Sequence, residues 1–428
     1  MTRNDYAGFK VLTGILLGVS VGTLYRCFPN AFNFIYLDID LFQLLGLLFV
    51  NLIKMTIPVL LFPMIVSAFC SIKDTSFLST IALKAVILFF FTTIMSSIIG
   101  ICFAVFFKVG THVTINNIMS AVSSASLSAR VECDFSTSIK DMLINLVPTN
   151  AFGVFFKENM GQMVLLSIVF GIAINKRRKP DGIVVRWIES LSAVMQEMVK
   201  FIMLLAPIGV FGSVVWFVAT SELQLIKSVL YLMLIIVLGM LFINYIFYGF
   251  MLLFARLNPI PFFIKCLSTQ MIGMSIGSGF SVLPISINTA TKKLGVSSES
   301  ASVLMPIGST INLNGTAFTL SMYTMFFINL YGIDFSHMEY IYLVVLSVIG
   351  AVATPPIAGG AVVTFSAIVV TLNLPAETIA VVLTVDKIIS MLRVFVNVSG
   401  NNLAVVLVDK WSDRLSLFRY KTITKTAI

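Results

Sequence analysis

Polar side chains interrupt the last long apolar segment, 376–408, among them Asp386, Lys387, Ser390, Arg393, Asn397, Asn401 and Asn402. Residues 386, 390, 393, 397 and 401 follow one another at steps of three or four, so they share one face of a helix. Arg393 offers a planar, permanently charged fork that suits a carboxylate. Asp386 lies two turns away. An ion pair between the two is the alternative use of both, reached only by stretching both side chains over about 10 Å of rise. Upstream, Gly308-Ser309-Thr310 precedes Asn312-Leu313-Asn314-Gly315-Thr316. Amide oxygens, hydroxyls and freed carbonyls around a glycine break are what a small hard cation needs. Small and polar residues also line helix–helix contacts, so this segment alone fits either role.

The elements that must position these groups are membrane helices. Of 428 residues, 58% are hydrophobic and 11% charged, against about 25% charged in soluble domains. A mean hydropathy of +1.01 leaves too little polar surface for a water-soluble particle. Soluble enzymes, nucleic-acid binders and disordered scaffolds are excluded. The net charge of +9 comes mostly from basic residues between apolar segments, where they orient the chain and imply no nucleic-acid partner. The five cysteines are scattered without a CxxC pair, which argues against a metal knuckle or a disulfide framework.

Apolar runs at about 8–26, 41–70, 78–108, 187–219 and 226–255 are each long enough for at least one span, with a broken one over 140–175. The first is read as a retained span rather than a cleaved leader. Pro58 and Pro63 are expected to kink the second. The densest basic clusters are Lys176 to Lys179, Lys292-Lys293 and the tail with Lys410, Arg414, Arg419, Lys421 and Lys425. Placing all three in the cytoplasm puts both termini there and 109–139 outside.

Beyond residue 256 the texture changes. Segments 258–290 and 342–375 each consist of two short apolar halves around a polar tip, 275–281 and 354–360. Each is followed by a longer segment with embedded polar residues. Paired interrupted segments of this kind point to re-entrant hairpins and to the binding site of a secondary transporter. A channel would need a continuous charged or carbonyl-lined pore, whereas one arginine-centred pocket is found. No HExxH, serine–histidine pair or intramembrane aspartate pair supports an enzyme. A sensor that kept the fold without transport is a further reading.

Val147-Pro148-Thr149-Asn150, Ala206-Pro207-Ile208-Gly209-Val210-Phe211, Asn312 to Thr316 and Arg393 with Asn397 occur in an order and spacing that resembles the dicarboxylate/amino acid:cation symporters. The resemblance runs from the first span to about residue 410. It implies an all-α integral membrane protein of eight spans plus two re-entrant helical hairpins, an inverted-repeat secondary transporter. Residues 1–255 would form a scaffold and trimerisation half of six spans, with part of it joining the transport unit, 256–410 the transport core and 411–428 a cytoplasmic basic tail. It further implies a homotrimer in a bacterial inner membrane, taking up a small anionic substrate with sodium or protons and without an organic cofactor. Arg393, Asn397, Ser390, Thr316, Ser278, Ser281, Thr354 and Gly359 match substrate positions. Gly308, Thr310, Asn312, Asn314, Asn397, Asn401, Thr92 and Thr93 match sodium positions.

The departures from the family pattern carry physics. Asn314, Asn401 and Ser390 stand where members of the family carry carboxylates, while the arginine stays. Serine at 390 with asparagine at 401 resembles the C4-dicarboxylate branch, and so favours succinate, fumarate or malate over glutamate and aspartate. Asp386 is read as the sole deep carboxylate between 258 and 408, and hence as the candidate proton site. A diacid that neutralises Arg393 would let Asp386 take up a proton.

Overall fold

The computed structural model describes residues 3–28, 39–70, 76–111, 148–157, 160–177, 182–220, 223–277, 279, 282–354, 360–375 and 377–422. Among these residues every regular element is helical. The first half comprises α1 (Arg3–Cys27), α2 (Ile39–Cys70), α3 (Ser76–Phe106), α4 (Gly153–Lys157), α5 (Met160–Arg177), α6 (Ile183–Leu204) and α7 (Ala206–Thr220). Then α8 (Leu223–Leu241) runs through a π-turn, Phe242–Phe247, into α9 (Tyr248–Phe254). Helix α2 continues through Pro58 and Pro63 without a break in its assignment. The apolar run 187–219, read as one segment, is two helices parted at Leu205, where Pro207 cannot donate to a preceding turn.

Helix α2 packs on α5, α6 and α7. Gly14, Gly18 and Gly22 recur every fourth residue along α1, and a Cβ at each would fall within about 2.7–2.8 Å of α7 atoms at Pro207, Val214 and Val218. Small residues let two backbones close where lipid offers no hydrophobic drive for helix pairing. Leu83–Phe106 and Leu223–Phe254 are by themselves long and apolar enough to cross a membrane.

The second half opens with a helix–turn–helix, α10 (Pro259–Ile276) and α11 (Leu283–Asn288), the latter extended by a π-turn over Thr289–Lys293. Gly277, at φ +70°, ends α10 in the left-handed region that favours glycine. The hydroxyls of Thr269 and Thr289 join the two arms at 2.8 Å. Next come α12 (Ser298–Ile311) and α13 (Asn314–Leu330), so the segment 302–330, read as one span, is broken in its middle. A second helix–turn–helix, α14 (His337–Ala353) and α15 (Gly360–Thr371), leads to α16 (Glu377–Trp411) and the short α17 (Leu417–Lys421). Most of α16 between Thr378 and Asp409 is buried. It packs on α7, α8, α10, α12, α13 and α15 and is the axis of this half.

The foot of α10 is fastened to the chain's last described segment. The Lys265 side chain is buried, and its ammonium donates to the carbonyls of Arg419 (2.6 Å), Tyr420 (2.7 Å) and Lys293 (2.9 Å). The Tyr420 hydroxyl donates to the Asn258 carbonyl at 2.8 Å, and burial holds its phenol above the ordinary range, so it stays a donor. Ser416 N–H reaches the carbonyl of Gly295, whose φ of +79° and closeness to the Ser416 oxygen exclude a larger residue. Lys265→Met leaves three carbonyls facing an apolar stem. It is expected to cost about 2 kcal/mol, read as a lower thermal midpoint of the detergent-purified protein, and to speed proteolysis after Trp411. An unchanged midpoint would contradict the fastening role.

Candidate functional site

The site is built around the break between α12 and α13. Asn312 (φ −89°, ψ 65°) and Leu313 (φ −100°, ψ 62°) leave helical geometry. Asn397 of α16 satisfies the start of α13: its Oδ1 accepts from Gly315 N–H at 2.8 Å, and its Nδ2 donates to the Thr316 hydroxyl at 3.5 Å. A Cβ on Gly315 would stand 3.0 Å from the Arg393 carbonyl oxygen, so glycine is what lets α13 begin this close to α16.

Helix α3 supplies the other wall. Thr92 Oγ1 lies 2.9 Å from Asn312 Oδ1, and Thr93 Oγ1 lies 3.0 Å from Asn314 Oδ1. Asn312 Nδ2 donates to Asn401 Oδ1 at 3.0 Å, and Asn314 Nδ2 to the Tyr248 hydroxyl at 2.8 Å. A Cβ on Gly308 would meet Asn401 Oδ1 at 2.9 Å. Thus Thr92, Thr93, Gly308, Asn312, Asn314 and Asn401, proposed from sequence as cation positions, form one buried cluster. Thr310 stands apart, its hydroxyl bonded to Ile307 of its own helix.

A proton count describes this cluster. The Thr92 hydroxyl has one proton and three acceptors nearby: the carbonyls of Leu88 (3.0 Å) and Phe89 (3.1 Å), and Asn312 Oδ1. The Thr93 hydroxyl has one proton for the Phe89 carbonyl (2.7 Å) and Asn314 Oδ1. When those protons go to the helix carbonyls, oxygen faces oxygen in both Thr–Asn pairs. The donor set fits a small hard cation such as sodium in ligand type. It contains no carboxylate to offset the charge of that cation.

Above the break, Arg393 and Asp386 are joined. Arg393 Nη1 donates to Asp386 Oδ1 at 2.8 Å and Nη2 to Oδ2 at 3.3 Å, with both side chains buried. The sequence reading kept this pair as the alternative to Arg393 holding a substrate carboxylate and Asp386 a proton. Two turns of one face are within reach of a fork and a carboxylate extended towards each other. The Tyr323 hydroxyl adds a bond to Asp386 Oδ1 at 3.3 Å.

Ser390, midway along the same face, is buried and donates to the Lys387 carbonyl at 2.7 Å. Thr354 ends α14, and its hydroxyl meets that of Thr364 on α15 at 2.9 Å, joining the arms of the second hairpin. Ser278, Ser281 and Gly359 lie outside the described residues, as does most of the second hairpin tip.

Three participants escaped the sequence reading. Tyr323 follows Thr316 by two helical turns, a spacing that signals a shared face. Tyr248 sits in an apolar run beside a π-turn, with no periodic signal to mark it. Asp409 is fully buried, and its Oδ2 accepts from Ser297 N–H at 2.6 Å, at the start of α12. Asp409 is thus a second buried carboxylate, just beyond the 258–408 stretch in which Asp386 was read as the sole deep one.

Over residues 8–411 the chain matches the sodium:dicarboxylate symporter family. It is similar to the proton/sodium-glutamate symport protein of Bacillus subtilis (strain 168), 26% identical over 97% of this chain and 94% of that protein. It is similar to the proton/glutamate-aspartate symporter of Escherichia coli (strain K12), 27% identical over 95% of this chain and 93% of that protein. It is also similar to the C4-dicarboxylate transport protein of Anaeromyxobacter sp. (strain K), 24% identical over 97% of this chain and 91% of that protein. Helices broken at a buried polar centre, with a match over nearly the whole chain, give the assignment: this protein belongs to the sodium:dicarboxylate symporter family.

Proposed function

We propose that the chain is a secondary active symporter that takes up a C4-dicarboxylate such as succinate, fumarate or malate together with protons. The observation that carries this reading is the bidentate Arg393–Asp386 pair beside a neutral Ser390. A substrate carboxylate binds Arg393 by taking the place of Asp386. The displaced carboxylate is then a buried charge without a partner, which is costly. Taking up one proton removes that cost. Substrate and proton thus enter together, and either alone is disfavoured.

An acidic amino acid is the second reading, and the same pair supports it. Its carboxylate would take Arg393 while its ammonium takes Asp386, an exchange that needs no proton at this site. The two readings separate by pH dependence.

Alternating access would carry this site across a bacterial inner membrane. The reading divides the chain into a trimer-forming scaffold half, 1–255, a moving core, 256–410, and a basic tail, with eight spans, two re-entrant hairpins and both termini in the cytoplasm. Two hubs support the division, α2 for the first half and α16 for the second. The Thr–Asn oxygen cluster is the candidate sodium position, and its lack of a carboxylate supports only weak sodium coupling.

In proteoliposomes, labelled succinate is expected to accumulate when the outside is acidified, without a sodium gradient. Arg393→Ala is expected to reduce diacid uptake about a hundredfold, consistent with the ~2–5 kcal/mol cost of truncating a buried charge pair. Asp386→Asn should abolish the response to the pH gradient. Uptake that depends on sodium at every pH and ignores Asp386→Asn would refute proton coupling. Asn314→Asp places an anion beside Thr93 and is expected to create or tighten sodium dependence at least tenfold, measured as the sodium concentration for half-maximal uptake. No change in that concentration would remove the cluster from the coupling path.

A further inference from the structure

A groove of about 520 Å³ runs between α3, α9 and α16. That volume is within the range of small-molecule sites, about 300–1,000 Å³. Helix α3 lines it with Lys84, Ile87 and Phe91, and α9 with Phe250 and Phe254. Steps of three and four put each set on one helix face. Trp411, the last residue of α16, closes one end. The four apolar residues and Trp411 each keep between 47% and 79% of their surface exposed. Lys84 is the one charged residue in the lining, and no carboxylate of the described residues faces it there. Among the described residues, neither its ammonium nor the Trp411 indole N–H has a hydrogen-bond or ion-pair partner.

The polar groups of the groove share one mouth. Thr93 and Tyr248 both touch Asn314, and Thr92 and Asn401 both touch Asn312. Lys84 stands eight residues before Thr92, Phe254 six after Tyr248 and Trp411 ten after Asn401. With α3 running opposite to α9 and α16, all three lie about 9–15 Å of rise beyond the oxygen cluster. The membrane-crossing part of α3 begins at Leu83, so Lys84 marks the edge of the hydrocarbon. Any lipid can lay an acyl chain along exposed phenylalanines. The ammonium is what discriminates: a basic residue at the edge of an interhelical groove attracts an anionic headgroup, and tryptophan favours the headgroup level. A zwitterionic headgroup brings its own cation, which Lys84 repels. We propose that this groove binds one anionic phospholipid, its chain along Phe91 and Phe250 and its phosphate at Lys84 and Trp411. In the topology proposed above the mouth opens to the cytoplasmic leaflet. The same three helices carry Thr92, Thr93, Tyr248 and Asn401, so a lipid seated across them braces the walls of the oxygen cluster. The inference holds whatever the transported acid is.

The test titrates phosphatidylglycerol or phosphatidylcholine of the same chains into the detergent-purified, full-length protein. Phosphatidylglycerol is expected to raise the thermal midpoint by about 3 °C at saturation, and at a lower concentration than phosphatidylcholine. Lys84→Gln should raise the phosphatidylglycerol concentration for half the shift about fivefold, the effect of one lysine near an anionic surface, and leave phosphatidylcholine unchanged. Lys84→Arg should behave as the unaltered protein. So should Lys227→Gln, which removes an exposed lysine about 30 Å along the membrane from Phe247. Equal response to the two lipids would overturn the proposal, as would a Lys84→Gln protein that keeps its preference or a Lys227→Gln protein that loses it as fully. Glycerophosphoglycerol, the headgroup without chains, should give no shift. A shift equal to that of the lipid would show an anion site and no groove occupant. A second measurement places the chain. In phosphatidylcholine vesicles, a small fraction of phosphatidylglycerol with brominated chains should quench Trp411 emission, taken as the difference between the unaltered protein and Trp411→Phe, more than the same fraction of brominated phosphatidylcholine. Equal quenching would overturn the proposal.

Discussion

A helix that breaks inside a low-dielectric bundle has no water to satisfy its freed backbone groups, so the protein must supply the partners. The break at Asn312–Leu313 imposes this on everything around it. Asn397 must lie where Gly315 N–H points, which fixes the rotation of α16. Residue 315 must be glycine for α13 to start against the Arg393 carbonyl. Residue 400 must be glycine too, because a Cβ there would meet the Tyr248 hydroxyl at 2.6 Å and Asn314 Nδ2 at 2.7 Å. The orientation of α16 that serves the break also lines up Asp386, Ser390 and Arg393 beside it.

The charges follow the same economy. A buried ion pair contributes little net stability, but breaking it by removing one partner is expensive. On the proposed reading, Arg393 and Asp386 are poised for an exchange of partners rather than for tight structure. A carboxylate that enters must relieve Asp386 as well as satisfy Arg393, and a proton or an ammonium can do so. The Thr–Asn cluster below is neutral throughout. Its oxygens suit a cation in kind while its charge does not. On the proposed reading, the strongest ion coupling sits at the arginine and not at the break.

The foot of the first hairpin is treated differently. Lys265 bonds three carbonyls and leaves no gap for an exchange. That ammonium caps helix ends and fastens α17.

Membrane character, the paired interrupted segments and the polar face of the last helix were legible in the sequence, because apolar length and helical period are local properties. The spacing of Asp386, Ser390, Arg393 and Asn397 determined one shared face before any packing was known. Which of those groups bind one another was not determined. Whether an arginine reaches an aspartate two turns away depends on the rotamers that the neighbouring helices allow. The partners of Asn312 and Asn314 come from α3 and α9, separated from them in sequence by 220 residues for Thr92 and 66 for Tyr248. Only tertiary packing brings such distant positions together. The burial of Asp409 was likewise decided by what packs around it, and no spacing along a single helix encodes that.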